Sequence, residues 1–375
     1  MVRGLGRVSL VVGVVLAALV GTSLAPAHSN ALARTSAPAQ PALGARGVPA
    51  DVAARALNAL SHRNAASSGK DLREVRFILN WVPNVEFAGL WMAEKQKKWT
   101  KAGLKLKYTP WSNSVNPERD VPAQGGDTFG FQSGAALTIA AAQGEKITAL
   151  YTDTQKSVFG LVVLKSSHIA NIKQLKGKKV GYQSDELYVP QTMLAHAGLK
   201  QTDWTPVPVG FNISPLIAGR VDAYLVFVTN EPIDLKLRHI PFTLFPAYKY
   251  GFQTYDDVMF TYNDLIQKDP TFVKKVTGIV ARAFQYGHTH IKETAKYVTS
   301  TTFTVPKAKA AQNLQQQTLE LKAFAPYSRD SSGRYRGLMN TATWQGLIKT
   351  LYKYQLIKTK PNAAAMYTNR FNPYR

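Results

Sequence analysis

The sequence predicts an α/β protein built on mainly parallel sheets. From about Val75 onward, short runs rich in β-branched and aromatic residues alternate with longer segments of helical periodicity, which is the pattern of strands joined by crossover helices. The chain has 375 residues, 45% of them hydrophobic and 18% charged, which is typical of a globular protein with room for two domains. In addition, polar and aromatic residues gather in the turns that follow several strands.

Hydrophobic periodicity and turn residues define the individual elements. Strands are predicted at 76–80, 105–109, 128–131, 147–152, 159–164, 179–182, 223–228, 243–246 and 258–262. Helices are predicted at 86–98, 133–142, 189–197 and 213–218, and beyond Asp269 at 271–288, 292–299, 307–324 and 341–354. The strands therefore end well before the chain does, and the last third is helical.

The N-terminal region has the features of an export signal. Arg3 and Arg7 precede an apolar run at 8–20, and small residues follow up to Ala33, so residues 1–33 are predicted to be a signal peptide cleaved after Ala27 or Ala33. An uncleaved membrane anchor is the alternative, although the run is short for a span of about 20 residues. Residues 34–72, rich in Ala, Pro and Ser, predict a flexible tether.

Composition excludes several classes of function. The chain has no cysteine, which excludes disulfides, thiolate metal sites, cysteine nucleophiles and a lipid anchor on an N-terminal cysteine. The formal charge of +23 is spread along the chain rather than concentrated on one element, so we expect no nucleic-acid partner. An exported, extracytoplasmic protein without cysteine lipidation is the resulting expectation.

Common catalytic signatures are also missing. The segment GFQSG at 130–134 places its serine one position too late for a nucleophile elbow, and GKKVG at 177–181 lacks the Ser or Thr of a phosphate-binding loop. His288 and His290 are two residues apart on a predicted helix, so their side chains point in nearly opposite directions and share no metal ion. The sequence predicts no catalytic residue, no metal and no cofactor.

Four turns that follow predicted strands are the candidate binding site. Ligands of open α/β sheets bind beyond the carboxyl ends of the strands, where all four turns are predicted to lie. Aromatic faces there can stack on a flat ring, and amide or carboxylate groups can hydrogen-bond its nitrogens. The candidate ligand-binding residues are Trp81, Asn84, Gln132, Ser133, Asp185, Tyr188, Asn230 and Glu231.

Each of these residues has an ordinary structural role as its alternative. A tryptophan at a strand end commonly packs in the core, and a turn asparagine commonly bonds its own backbone. Asp185, within SDELY, could cap a helix or coordinate a cation. The occurrence of four such turns together favours a site.

Four segments carry a family likeness: LNWVPNVEFAGLWMAEKQKKW, DTFGFQSGAALTIAAAQGEKI, LKGKKVGYQ and GRVDAYLVFVTNEP. They resemble the solute-binding proteins of ABC importers, in particular the branch that binds the thiamine pyrimidine precursor and includes riboflavin-binding relatives. The likeness extends over about 75–354. It implies a two-lobed type II periplasmic-binding-protein-like fold, each lobe a mainly parallel sheet flanked by helices, with crossover strands near 158–163 and 253–260.

The same resemblance implies the domain organisation and the partners. Lobe one would comprise 75–160 plus 255–356, lobe two 161–254, and residues 357–375 a C-terminal tail, with the four turns facing each other across a cleft. The expected function is to capture a small aromatic heterocycle, a pyrimidine precursor of thiamine, and to deliver it to an ABC permease in the membrane. Riboflavin or a related flavin is the alternative ligand, and a monomer is expected.

The family that the chain resembles also includes an enzyme, the fungal thiamine pyrimidine synthase, which consumes its own lysine-bound pyridoxal phosphate and a histidine. Matched motif by motif, that lysine falls on Gln132 and the histidine on Ala136. A Schiff base needs an amine, which glutamine lacks. We therefore expect a binding protein rather than an enzyme.

Overall fold

A computed structural model of the chain describes residues 72–112, 114–183, 186–302 and 307–375, with the side chains of 307 and 308 left aside. The predicted signal peptide, the tether up to residue 71 and the candidate Asp185 lie outside the described residues. Within the described part, none of the helices combines the length and the hydropathy needed to cross a membrane.

The described chain contains ten strands and twelve α-helices. The strands are β1 (Arg73–Ile78), β2 (Leu104–Thr109), β3 (Thr128–Gln132), β4 (Ile147–Thr152), β5 (Phe159–Leu164), β6 (Lys179–Tyr182), β7 (Thr205–Pro208), β8 (Ala223–Phe227), β9 (Phe242–Pro246) and β10 (Val258–Tyr262). The helices are α1 (Ala88–Lys95), α2 (Lys98–Lys101), α3 (Pro117–Gln124), α4 (Gly134–Ala142), α5 (Tyr188–His196), α6 (Ser214–Ile217), α7 (Glu231–Leu237), α8 (Asn263–Lys268), α9 (Pro270–Thr289), α10 (Ile291–Thr301), α11 (Lys307–Ser328) and α12 (Thr341–Lys353).

These strands form two sheets of the same design. The first sheet has the order β2-β1-β3-β10-β4 and the second the order β7-β6-β8-β5-β9. In each, the fourth strand, β10 or β5, runs antiparallel to both of its neighbours, while the other four point the same way. The prediction of two mainly parallel sheets, each containing one crossover strand, is confirmed.

Buried aromatic rings join the helices to the first sheet. Phe77 of β1 stacks on Phe129 and Phe131 of β3, with ring centroids 5.5 and 5.9 Å apart. Helices α1 and α9 lie close together because Gly89 leaves room for Phe284: a Cβ at position 89 would come within 2.2 Å of the Phe284 ring. This glycine therefore fixes how closely α1 approaches α9.

The chain crosses between the sheets twice, and the two crossing segments bond to each other. Residues 152–158 lead from β4 to β5, and residues 251–257 lead from β9 to β10. The Asp153 backbone N–H donates to the Asp257 carbonyl at 3.1 Å, and the Thr154 hydroxyl donates to the Asp256 carbonyl at 2.7 Å. The Val158 N–H donates to the Asp256 carboxylate at 2.9 Å. The connection between the sheets therefore consists of two buried segments that are hydrogen-bonded to each other.

The observed elements differ from the predicted ones where a helix is interrupted or where a segment contains proline. The predicted helix at 86–98 is a 3₁₀ turn followed by α1 and α2, because Lys97 takes a left-handed conformation with φ of 55°. Helix α3 contains Pro122, and β7 contains two prolines, so sequence patterns argued against both. A strand tolerates proline at a sheet edge, which is the position of β7.

Residues 357–375, predicted as a tail, pack along the free edge of β4. The Ala149 N–H donates to the Met366 carbonyl, and the Thr368 N–H donates to the Ala149 carbonyl, both at 2.9 Å. Met366 and Phe371 are buried. Covering an edge strand in this way removes a row of unpaired backbone groups that could pair with another chain.

The carboxyl group of Asp256 gives the connection between the sheets a pH dependence. Complete burial raises the pKa of Asp256 to about 7 from an ordinary value of 3.8, although hydrogen bonds from the Val158 N–H and the Ser157 hydroxyl act in the opposite direction. The folded state therefore holds this proton to a higher pH than the unfolded chain does. Its contribution to stability is complete below pH 4 and is lost as the pH rises towards 7.

We predict that Asp256→Asn flattens this part of the pH profile. Asparagine keeps an oxygen that accepts from Val158 but carries no titrating proton. In the wild type, this group should lower the free energy of unfolding by up to roughly 1.4 kcal/mol per pH unit between pH 4 and 7. Urea unfolding at several pH values measures the slope, with Asp234→Asn, an exposed carboxylate paired with Arg238, as control. Equal slopes for wild type and Asp256→Asn would contradict the prediction.

Candidate functional site

A cavity of about 540 Å³ lies where strand ends of the two sheets meet. From the first sheet it is lined by residues that follow β1, β2 and β3, among them Trp81, Trp111 and Ser133. From the second sheet it is lined by residues that follow β6, β7 and β8, among them Gln183 and Phe211. This is the position at which open α/β sheets bind ligands.

Three aromatic rings form one wall of the cavity, and they come from both sheets. The ring centroid of Trp81 lies 5.3 Å from that of Trp111 and 5.3 Å from that of Phe211, and the last two lie 5.5 Å apart. The backbone N–H of Trp111 also donates to the backbone carbonyl of Trp81 at 3.2 Å. Trp81 is only 6% exposed, so its ring belongs both to the core and to the cavity wall.

Polar groups on the first-sheet side are held by one another. The Gln132 carboxamide donates to the Glu118 carboxylate at 2.8 Å and accepts from the Ser133 N–H at 2.8 Å. The Ser133 hydroxyl accepts from the Ala136 N–H at 3.2 Å and so caps α4, as a serine at this position is expected to do. The orientation of Gln132 is thus fixed before any ligand arrives.

The second-sheet side supplies a buried carboxylate and a buried amide. Glu231, at the first position of α7, accepts from the Phe227 N–H at 2.9 Å, and Gln183 donates to the Leu225 carbonyl at 2.7 Å. Tyr188, at the start of α5, packs against Phe252 with ring centroids 5.7 Å apart. These contacts fix side chains around the cavity on short turns between strand and helix.

The structure brings five of the eight predicted site residues to this cavity. Trp81, Gln132, Ser133, Tyr188 and Glu231 line it. Whether they contact a ligand stays a prediction.

Two further candidates are buried close by but do not line the cavity. Asn84 caps the 3₁₀ turn at Val85–Phe87, since its side chain accepts from the Glu86 N–H at 2.9 Å. Asn230 precedes α7, and its carbonyl accepts from the Ile233 N–H at 2.8 Å. The ordinary turn role described for asparagine therefore accounts for Asn84, and Asp185 lies outside the described residues.

The strand-end rule could have found two lining residues that the sequence reasoning missed. Trp111 follows β2 and Phe211 follows β7, as Trp81 follows β1. Phe211 was missed because the prolines of β7 concealed the strand. Glu86 and Glu118 lie on the helical side of their turns, and Leu356 reaches the cavity from beyond α12; no local pattern marks these three as lining residues.

Ionisable groups are buried beside the cavity, next to the connection between the sheets. The pKa of Asp257 is raised well above its usual value, first by burial and then by the neighbouring Glu86 carboxylate. Asp153 is hydrogen-bonded to the His288 imidazole at 2.8 Å and accepts from the Ser328 hydroxyl at 3.2 Å.

Within the described part of the chain, no cluster of His, Asp and Glu has the arrangement of a metal site.

Residues 84–294 match the model of the NMT1/THI5-like family. The chain belongs to this family. Its predicted likeness to the thiamine precursor and riboflavin branch of binding proteins is thereby confirmed.

Curated relatives of this NMT1/THI5-like chain carry names of both binding proteins and enzymes. A putative thiamine biosynthesis protein of Haemophilus influenzae is 27% identical over 51% of this chain and 62% of its own length. Riboflavin-binding protein RibY of Chloroflexus aurantiacus is 20% identical over 46% of this chain and 50% of its own. The 4-amino-5-hydroxymethyl-2-methylpyrimidine phosphate synthase of Schizosaccharomyces pombe is 23% identical over 44% and 47%. The alignments thus span about half to three fifths of these relatives.

Solved structures establish the fold of this family member. The periplasmic sulfonate-binding protein SsuA of Methylobacillus flagellatus superposes with a TM-score of 0.57, covering 81% of this chain and 93% of its own, at 17% identity. The desulfurization enzyme DSZB superposes with a TM-score of 0.54 at 15% identity, covering 80% and 97%. The chain therefore has the two-lobed fold of periplasmic binding proteins, as predicted, and a fold of this kind also occurs in an enzyme.

Proposed function

We propose that this protein is the extracytoplasmic solute-binding component of an ABC importer, which captures a small aromatic heterocycle and delivers it to a membrane permease. The observation that carries the proposal is the cavity wall of Trp81, Trp111 and Phe211, assembled from both sheets and facing fixed amide and carboxylate groups. A volume of about 540 Å³ is within the range of small-molecule sites, roughly 300–1,000 Å³.

A pyrimidine precursor of thiamine is the ligand that we favour. A flat ring can stack on the tryptophans, while its ring nitrogens and amino group can bond Glu231 and the other polar groups at the strand ends. The names of the thiamine biosynthesis and pyrimidine phosphate synthase relatives support a pyrimidine. Riboflavin is the second candidate, because the riboflavin-binding protein RibY is a relative.

The chemistry at position 132 supports binding rather than synthesis. An enzyme that holds pyridoxal phosphate as a Schiff base needs an amine, and Gln132 offers a carboxamide already bonded to Glu118 and to the Ser133 N–H. An enzyme name assigned through the shared fold would rest on analogy alone.

We further propose that the lobes, 75–160 plus 255–356 and 161–254, close on the ligand about the paired segments at 152–158 and 251–257, and that the protein acts as an exported monomer. Each lobe provides one side of the cavity, so a ligand held by both should favour the closed arrangement. Delivery to a permease then requires recognition of the closed form.

The direct test is mass spectrometry of the small molecule that co-purifies with the folded protein. We expect an unmodified pyrimidine or a flavin in stoichiometric amount. Pyridoxal absorbance after incubation with pyridoxal phosphate, together with product formation, would instead support the synthase activity and overturn the proposal.

We predict that Trp81→Ala weakens binding of 4-amino-5-hydroxymethyl-2-methylpyrimidine and of riboflavin about tenfold to a hundredfold, because stacking of a base on an aromatic side chain is worth about 1–3 kcal/mol. Trp81→Phe keeps a flat face and should lose much less. Isothermal calorimetry measures the affinity, and denaturant unfolding of the same variants measures stability.

A matched control separates stacking from core packing. Trp99 is fully buried in the same core as Trp81 but does not line the cavity. Trp99→Phe should therefore lower stability and leave the affinity of the folded protein unchanged. A Trp81→Ala variant that is destabilised but binds normally would remove Trp81 from the site.

We also predict that the radius of gyration measured by small-angle scattering decreases when ligand is added. The Trp81→Ala variant is measured at the same ligand concentration, chosen to lie below the dissociation constant of the variant. Its radius of gyration should then change little. An unchanged radius in the wild type at saturating ligand would contradict closure of the lobes.

A further inference from the structure

The cavity has the opposite charge to the rest of the molecule. The chain contains 46 lysines and arginines against 23 aspartates and glutamates. Among the described residues that line the cavity, however, four are glutamates and none is lysine, arginine or histidine. The four are Glu86, Glu118, Glu186 and Glu231. Basic residues are twice as abundant as acidic ones in the chain, so a lining whose charged residues are all acidic is unexpected unless the charge serves the ligand.

The four carboxylates surround the cavity from both sheets. Glu118 stands on α3 beside Gln132, on the first-sheet side, and Glu86 follows Trp81 in the turn after β1. Glu186 and Glu231 come from turns of the second sheet, before α5 and at the start of α7. Glu86 and Glu231 are 3% and 4% exposed, so salt screens their fields much less than those of surface charges.

The N-terminus of α4 acts in the opposite direction, but three of the N–H groups there already have acceptors. The N-terminus of α4 points towards the cavity and would favour an anion. The three are those of Ser133, which donates to the Gln132 side chain, of Gly134, which donates to the Tyr255 carbonyl, and of Ala136, which donates to the Ser133 hydroxyl. A helix end equals about half a unit charge, so four carboxylates outweigh it.

We propose that this cleft selects the uncharged or cationic form of its heterocycle and rejects phosphorylated, sulfonated or carboxylated forms. The inference rests on the proposed function and specifies the ligand class of that same site. Amino groups and protonated ring nitrogens of the ligand donate to the glutamates, which makes strong, charge-assisted hydrogen bonds. A phosphate group brought into the same space meets like charges and finds no basic side chain among the described lining residues.

Fold alone does not decide this preference. The sulfonate-binding neighbour shares the architecture, and by its name binds an anion. Ligand charge is therefore set by the residues that the turns between strand and helix bring to the cavity, and in this chain the charged residues among them are acidic.

The test uses two matched pairs of compounds: 4-amino-5-hydroxymethyl-2-methylpyrimidine with its phosphate ester, and riboflavin with riboflavin 5′-phosphate. Calorimetry on the wild-type protein should show that the alcohol of at least one pair binds and that its ester binds about 100-fold more weakly or worse, because each member differs only in the charged group. An ester that binds as tightly as its alcohol overturns the inference and leaves the proposed function standing. Absence of binding by all four compounds counts against the proposed function itself, and the inference falls with it.

A variant with an uncharged side chain at position 118 tests whether the charge of the cleft, rather than that of the whole molecule, discriminates between ester and alcohol. Glu118→Gln removes one negative charge and keeps an oxygen that accepts from Gln132, so we expect the ratio of ester to alcohol dissociation constants to fall about fivefold to tenfold. Glu74→Gln, on the exposed face of β1, changes the net charge equally and should leave the ratio unchanged. Equal effects of the two substitutions, or none from Glu118→Gln, would overturn the role assigned to the cleft.

Discussion

The pairing of the two segments that connect the sheets is the constraint on which the rest of the structure depends. The Asp256 carbonyl accepts from the hydroxyls of Thr152 and Thr154, and the Asp256 carboxylate accepts from the Val158 N–H. All these groups are buried. A buried backbone group without a partner costs free energy, so these bonds hold the segments in one register. The register in turn sets which strand ends of the two sheets face each other across the cavity.

Helix α11 adds a further link between the two halves. Leu321 packs in the hydrophobic cluster of the first sheet, and Phe324, three residues later, packs in a cluster of the second. Gln317 on the same helix accepts from the Val85 N–H at 3.0 Å, close to the turn that carries Trp81. Movement of one sheet relative to the other would therefore also displace the turn after β1, where the aromatic wall begins.

The fold is shared with other proteins, while the side chains that line the cavity, and with them its charge, belong to this sequence. Strand ends are favourable positions for ligand groups because short turns there are held by capping bonds such as that of Ser133 on Ala136. The same turns accept different side chains without changing the sheet. This explains how related folds occur in sulfonate-binding proteins and in an enzyme, as the structural comparisons indicate.

Hydrophobic periodicity is a local property, so the sequence alone predicted nine of the ten strands of the described chain and most of its longer helices. β4, β5, β6 and β10 have the bounds that their patterns predict. It also identified Trp81, Gln132 and Glu231 as residues at strand ends. Tertiary structure decided the rest. Lys97 broke a helix that its periodicity would continue, and pairing at the sheet edge made a strand of a proline-containing segment. Tertiary structure also decided which residues line the cavity. Asn84 caps a turn and does not line it, whereas Phe211 and Leu356 reach it from distant parts of the chain. The acidic lining likewise exists only once four glutamates, far apart in sequence, are brought together, because charge density depends on distances in space rather than on positions along the chain.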